Sequence, residues 1–109
     1  MPVRQITVRD LAEKLRAGEN VHLVDVRQPW EHETAALPES LLIPLNELLN
    51  RSDEIRHLAS SLVVVYCHHG IRSLSAAAIL QQLGFPDVAS MSGGIDAWSM
   101  QVDPSVPRY

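Results

Sequence analysis

The sequence predicts an α/β fold built on a mostly parallel sheet, and three observations carry that expectation. Stretches rich in Val, Leu and Ile alternate with stretches whose apolar residues recur at helical spacing, the pattern of repeated strand–helix units. Leu62 to Tyr66 is apolar without alternation, which suits a strand covered on both faces, as parallel strands are. A chain of 109 residues with 46% hydrophobic and 20% charged side chains fits one core. Chains of this size bury well over half of the surface they expose when unfolded, so neither metal nor disulfide is needed as a staple. The expected organisation is a single domain over residues 1–109, with 101–109 as an extended tail.

The elements follow in order. Thr7 precedes Val8, Leu11, Ala12 and Leu15, an i, i+3, i+4, i+7 stripe with Asp10 at the third position, so a helix is expected from about Val8 to Ala17. Gly18 is placed to end it. In "VHLVDVR", Val21, Leu23, Val24 and Val26 favour a strand whose C-terminal end brings Asp25 and Arg27. Pro29 and Pro38 bound a stretch expected to be irregular, and "SLLIPL" reads as a short strand stopped by Pro44. Leu45, Leu48 and Leu49 suggest a brief helix, and Asp53 to Ala59 a second amphipathic piece. After the Leu62–Tyr66 strand, a helix is expected over Ser73 to Leu83, closed by Gly84. "DVASM" is a last strand. Gly93 and Gly94 then turn the chain into a short helix carrying Ile95, Ala97 and Trp98.

Composition narrows the partners. Nine basic against thirteen acidic residues give a formal net charge of −4, and the basic ones are scattered, so nucleic acid is excluded as the expected partner. No apolar run approaches the roughly 20 residues that span a bilayer, so no membrane role is expected. The single Cys cannot close an internal disulfide, and no secretory-signal pattern opens the chain, which together point to a reducing, cytoplasmic setting.

That Cys lies where ligands gather in such folds, just outside the carboxyl end of a strand. Cys67 to Arg72 must curl above the N-terminus of the next helix, where unpaired N–H groups and the peptide dipoles favour an anion. A thiol there loses its proton more readily and becomes a nucleophile. Gly70 can take positive φ and turn successive N–H groups inward, and Arg72 can offer a planar fork to an oxyanion. A lone buried Cys is more often core filling. The Gly, the Arg and a new helix within six positions reverse that judgement for Cys67. His68 and His69 are either solvated loop side chains or substrate-facing groups. Arg72 has a surface salt bridge as its bland alternative, while Asp25 and Arg27 are a loop-bracing pair at least as readily as direct participants. Trp30 and Trp98 serve packing before contact. Adjacent Cys and His without a second Cys lack zinc-ligand spacing, so no metal is expected.

Four segments together resemble the single-domain rhodaneses, a sulfurtransferase family: "LVDVRQPWE" (Leu23–Glu31), "IPL" (Ile43–Leu45), "CHHGIRS" (Cys67–Ser73) and "MSGGIDAW" (Met91–Trp98). The resemblance spans nearly the whole chain. It implies a five-stranded parallel sheet flanked by helices on both faces, and Cys67 carrying a sulfane sulfur as a persulfide. It further implies that the loop amides of His68, His69, Gly70, Ile71, Arg72 and Ser73 surround that sulfur, with Asp25 and Arg27 near the loop in support. Implied donors are thiosulfate or a protein persulfide, implied acceptors are cyanide, a thiol or a sulfur-carrier protein, and no cofactor is required. The stretch "VDPSVPRY" is also similar to rhodanese domains fused behind E1-like activating enzymes in cofactor sulfuration. The resemblance departs at "ALPES" (Ala36–Ser40), where the family often has H-I-P-G-A; this bears on local bracing and partner recognition and leaves the nucleophile untouched.

Two rival functions stand beside this one. Cys-based phosphatases and arsenate reductases also join Cys, a curled loop and Arg at a helix start. Here four residues separate Cys67 from Arg72, one fewer than in the related phosphatases, and the tighter loop suits a single sulfur atom. The other rival is a non-catalytic interaction domain, against which the retained Cys67, Gly70 and Arg72 speak.

Overall fold

The computed structural model describes residues 2–109. Five strands, β1 (Gln5–Ile6), β2 (Val21–Asp25), β3 (Leu41–Leu42), β4 (Leu62–Tyr66) and β5 (Val88–Met91), alternate with helical segments. These are α1 (Val8–Arg16), α2 (Pro29–Thr34), α3 (Leu45–Arg51), a 3-10 helix over Ser52–Leu58, α4 (Ile71–Gln82) and α5 (Gly94–Gln101). The strands form one sheet in the order β1-β5-β4-β2-β3, and every neighbouring pair is parallel. The expected α/β class with a five-stranded parallel sheet is what the chain adopts.

Alternation along β4 shows how the layers are built. Val64 and Tyr66 face a core shared with Leu11, Ile95 and Trp98 of α1 and α5. Val63, Val65 and Cys67 face the opposite core, with Leu48 of α3 and Ala76 and Leu80 of α4. Val63, Val64 and Val65 have no exposed surface, so each stabilises the central strand by about 1.5–3 kcal/mol. Helices therefore cover both faces, as the unbroken apolar run of β4 required.

Three local expectations change. The strand readings from periodicity numbered four; β1 escaped them because it is two residues long and is defined by Gln5 and Ile6 pairing with Ser90 and Met91. The stretch expected to be irregular after Pro29 is helical: Pro29 occupies the first turn, where its fixed φ suits a helix, and Gln28 and Glu31 form a reciprocal capping box. Helix α4 starts at Ile71, two residues before the expected Ser73, because Gly70 at φ 99° is itself the cap residue. Beyond Gln101 the chain has no further helix or strand, yet it is tied down, with Val106 buried in the α1/α5 core.

The "ALPES" departure has a backbone consequence. Glu39 stands where the resembled pattern has Gly, and it is the one non-Gly residue among those described with positive φ, at 63°. A side chain in that left-handed region costs about 1 kcal/mol. Bracing of the segment comes from the last residue of β4: the Leu37 N–H donates to the Tyr66 hydroxyl at 3.1 Å, and the Ser40 hydroxyl lies 2.8 Å from the same oxygen. Glu39→Gly is expected to raise the unfolding free energy by about 0.5–1 kcal/mol, read from the urea midpoint at unchanged slope.

Candidate active site

Parallel strands β2 and β4 end side by side, Asp25 opposite Tyr66, which brings the residues after each to one edge of the sheet. Cys67 leaves β4 there and is 1% exposed. Gly70 then takes its left-handed conformation, possible at low cost for glycine alone, and opens α4. The turn sends two backbone donors to the thiol: the Gly70 N–H reaches Sγ at 3.1 Å and the Ser73 N–H at 3.4 Å. The Ser73 hydroxyl lies 3.6 Å from Sγ and 2.7 Å from the Ser90 hydroxyl of β5, which fixes its orientation.

The loop is held from behind by α5. The Ile95 N–H donates to the Cys67 carbonyl at 2.9 Å and the Asp96 N–H to the His68 carbonyl at 3.1 Å. Because peptide units are planar and trans, carbonyls drawn toward α5 turn the paired N–H groups of His68 and His69 to the other side. Two glycines, Gly70 again and Gly94, permit the close approach. A Cβ at Gly70 would meet the Gly93 nitrogen at 3.0 Å, and one at Gly94 would overlap the carbonyls of Cys67 and His68.

Arg72 does not face the sulfur as a free cation. Its two terminal nitrogens bind Glu31 of α2 bidentately, at 2.7 and 2.9 Å. That is the salt-bridge alternative realised, and it corrects the expectation of a fork open to an oxyanion. The carboxylate also accepts from the Gln28 N–H at 3.1 Å and the Tyr109 hydroxyl at 2.7 Å. Arg72, outweighing the opposing effect of burial, holds the Glu31 carboxyl down at about 2. Glu31 is a central member of the site that sequence reasoning passed over. Its signal was available in the Gln28–Glu31 capping pair, but its partner lies 41 positions away.

Asp25 and Arg27 form the bracing pair. Both are fully buried; the Arg27 guanidinium donates to Asp25 at 2.8 and 2.6 Å, to the Ala35 carbonyl at 2.6 Å and to the Tyr109 hydroxyl at 2.7 Å. Burial works against the Arg27 charge, but its bonds to Asp25 and Tyr109 prevail and raise its pKa. The pair thus acts through α2 and Tyr109, and neither side chain bonds to Cys67. The tail expected to be merely extended returns to the site: the Tyr109 ring stacks on His68 at 4.0 Å and meets Trp30 edge-on at 5.8 Å.

His68 is half-buried between Tyr109 and His69, whose ring lies 3.9 Å away, while His69 is exposed. Burial first, and then the neighbouring His69, push the His68 pKa down, so the ring is neutral near pH 7. One group of potential metal ligands gathers among the described residues, His68, His69 and Asp96, with ligand atoms within 4.8 Å of one another. Asp96 is bound to Arg108 at 2.8 Å and lies 3.7 Å from the His69 Nε2, and the two imidazoles are stacked on each other. A cavity of about 520 Å³ beside Leu15, Val21, Leu37 and Trp98 lies at the opposite end of β2 and does not touch the Cys67 loop.

The low Glu31 pKa makes stability pH-dependent. The group is depressed, so its contribution, roughly 3 kcal/mol, is fully present above its unfolded value near 4.5 and is lost as pH falls toward 2. In urea titrations, wild type is expected to exceed Glu31→Gln by about 2–3 kcal/mol at pH 7, with the gap narrowing below pH 4.5.

The rhodanese-like domain model matches residues 7–101. A sulfurtransferase of Allochromatium vinosum is 36% identical over 104 residues, covering 95% of this chain and 95% of the relative. The probable adenylyltransferase/sulfurtransferase MoeZ of Mycobacterium tuberculosis is 35% identical over 105 residues, 95% of this chain; the chain spans only 26% of that longer protein. A crystal structure of a rhodanese-related protein from Thermoplasma volcanium superposes with a TM-score of 0.82 at 31% identity, covering 97% of this chain and 99% of that one. Among the described residues, no helix is long and apolar enough to cross a membrane. Matched by the family model over residues 7–101 and by a 36% identical relative over almost the full length of both chains, this chain is a member of the rhodanese-like domain family.

Proposed function

We propose that the protein is a sulfurtransferase that carries a sulfane sulfur on Cys67 as a persulfide. The observation that supports this reading best is the pair of backbone N–H groups, Gly70 and Ser73, directed at Sγ at the head of α4. A sulfur atom added to Cys67 stands about 2 Å from Sγ. There the loop amides stabilise the charge that a persulfide anion carries, the logic of an oxyanion hole applied to sulfur.

The cycle is a double displacement. The Cys67 thiolate attacks the outer sulfur of the donor; the new S–S bond forms as the donor's bond to that sulfur breaks, and the donor's remaining fragment leaves with the electron pair. An acceptor thiolate or cyanide then attacks the outer sulfur of the Cys67 persulfide and returns the Cys67 thiolate. Every step uses sulfur or carbon nucleophiles, so the reading asks for no cofactor or metal. A reducing cytoplasmic setting, with a small thiol or a sulfur-carrier protein as acceptor, fits a free nucleophilic thiol.

A phosphatase or arsenate reductase reading loses its support in Arg72, whose fork is committed to Glu31. The interaction-domain reading leaves unexplained why two amides, a hydroxyl and two close-approach glycines converge on one thiol. The test is a matrix of sulfane donors against cyanide and thiol acceptors, following thiocyanate or product persulfide. Transfer well above the protein-free rate is expected with at least one donor. Rates equal to the blank with every donor, or thiol-dependent hydrolysis of an aryl phosphate instead, would refute the proposal.

A further inference from the structure

The cations of the site network are all paired. Arg72 is held by Glu31, Arg27 by Asp25 and Arg108 by Asp96. His68 adds no charge near neutrality, since burial and His69 lower its pKa. What remains for a bound anion is the set of loop amides, and two of them already reach Sγ. Such a set matches one sulfur atom bearing one negative charge. Thiosulfate brings a second charge, on a sulfonate whose three oxygens each need donors.

The surroundings point the same way. Glu31 and Arg72 tie α2 to α4 across the mouth, and the residue beside each is apolar and exposed: Trp30 is 60% exposed and Ile71 76%. The chain carries a net charge of −4, so the long-range field repels a small dianion rather than drawing it in.

We propose that the donor for this site is a persulfide R–S–SH with an uncharged organic body, and not a free dianion such as thiosulfate, with Glu31 setting that choice by neutralising Arg72. The assignment rests on the sulfur-transfer reading of Cys67. In the loading step the Cys67 thiolate attacks the terminal sulfur of R–S–SH. The Cys67 S–S bond forms and the donor S–S bond breaks; the organic thiolate departs with the electron pair and takes up the proton of the transferred sulfur, leaving the Cys67 persulfide as the anion. The exposed apolar rim receives the organic group, a contact thiosulfate cannot make.

The test measures loading of the full chain by 2-hydroxyethyl persulfide and by thiosulfate, each kcat/KM divided by the same donor's rate with free cysteine. The persulfide is expected to exceed thiosulfate by about 100-fold or more on that scale, and the thiosulfate rate is expected to stay level or rise with added NaCl, as between like charges. In Glu31→Gln the thiosulfate-to-persulfide ratio is expected to rise about tenfold as Arg72 is released. Thiosulfate loading as fast as the persulfide, a thiosulfate rate that falls steeply with salt, or an unchanged ratio in the folded variant overturns the donor assignment. Should the variant not fold, the two wild-type arms decide alone. Loading by neither donor overturns the sulfur-transfer reading itself, a result distinct from a reversed preference.

Discussion

Replacing Cys67 with serine is expected to reduce sulfur transfer by on the order of 10⁴-fold or more, to the uncatalysed background, with folding preserved. The two side chains are nearly isosteric, and a serine oxygen can accept the same Gly70 and Ser73 N–H groups that now reach Sγ. The buried position behind β4 therefore tolerates the exchange, and the unfolding free energy is expected to move by no more than about 1–2 kcal/mol. Chemistry does not tolerate it. An alcohol is protonated at neutral pH and is a poor nucleophile toward sulfane sulfur, so the covalent intermediate is lost while the cradle stays intact. Steady-state transfer measured beside a urea titration separates the two outcomes. Substantial transfer by a folded Cys67→Ser protein would mean that another group carries the sulfur.

Gly94→Ala is expected to damage fold and activity together. Gly94 has φ 63°, and a Cβ there would stand 2.5 Å from the Cys67 carbonyl oxygen and closer still to that of His68. Both oxygens belong to backbone held by the α5 N–H groups of Ile95 and Asp96 at 2.9 and 3.1 Å, so no flexible side-chain end can yield. Left-handed strain and overpacking each cost about 1–3 kcal/mol, giving an expected destabilisation of about 2–6 kcal/mol. Where the protein remains folded, the loop must move away from α5. A displacement of about 1 Å at a reacting centre costs on the order of 10²-fold in rate. The check is thermal unfolding together with kcat/KM: a variant within about 0.5 kcal/mol and twofold of wild type would show that α5 does not set the loop.

What was legible in the sequence was whatever depends on near neighbours. The β4 run announced a buried central strand, Gly70 announced the turn before α4, and Cys67 at their junction announced the candidate site. What was hidden depends on pairing across the sheet. Nothing around Gln5 and Ile6 marks a strand until β5 lies beside them. The short α2 has no apolar stripe, so its helical character rests on Pro29 and a polar cap. Arg72 offered one reading as a free fork and another as a salt bridge, and only Glu31, brought across from α2, decides between them. Tyr109 is hidden most deeply, because its contacts with Arg27 and Glu31 span 82 and 78 positions. An ordinary extended tail and a residue that closes a buried polar network look alike when read along the chain. Asp25 and Arg27 show the converse: their two-residue spacing at a strand end was enough to suggest a bracing pair, and that is the geometry they form.

The account stands on a thiol that receives one sulfur atom inside a ring of main-chain donors, and intact-mass spectrometry tests this most directly. After brief exposure to a sulfane donor and removal of the excess, the protein is expected to gain the mass of a single sulfur, mapped by fragmentation to Cys67 and released on adding cyanide. A protein whose mass is unchanged after every donor, or whose added sulfur maps elsewhere or resists cyanide, would contradict it.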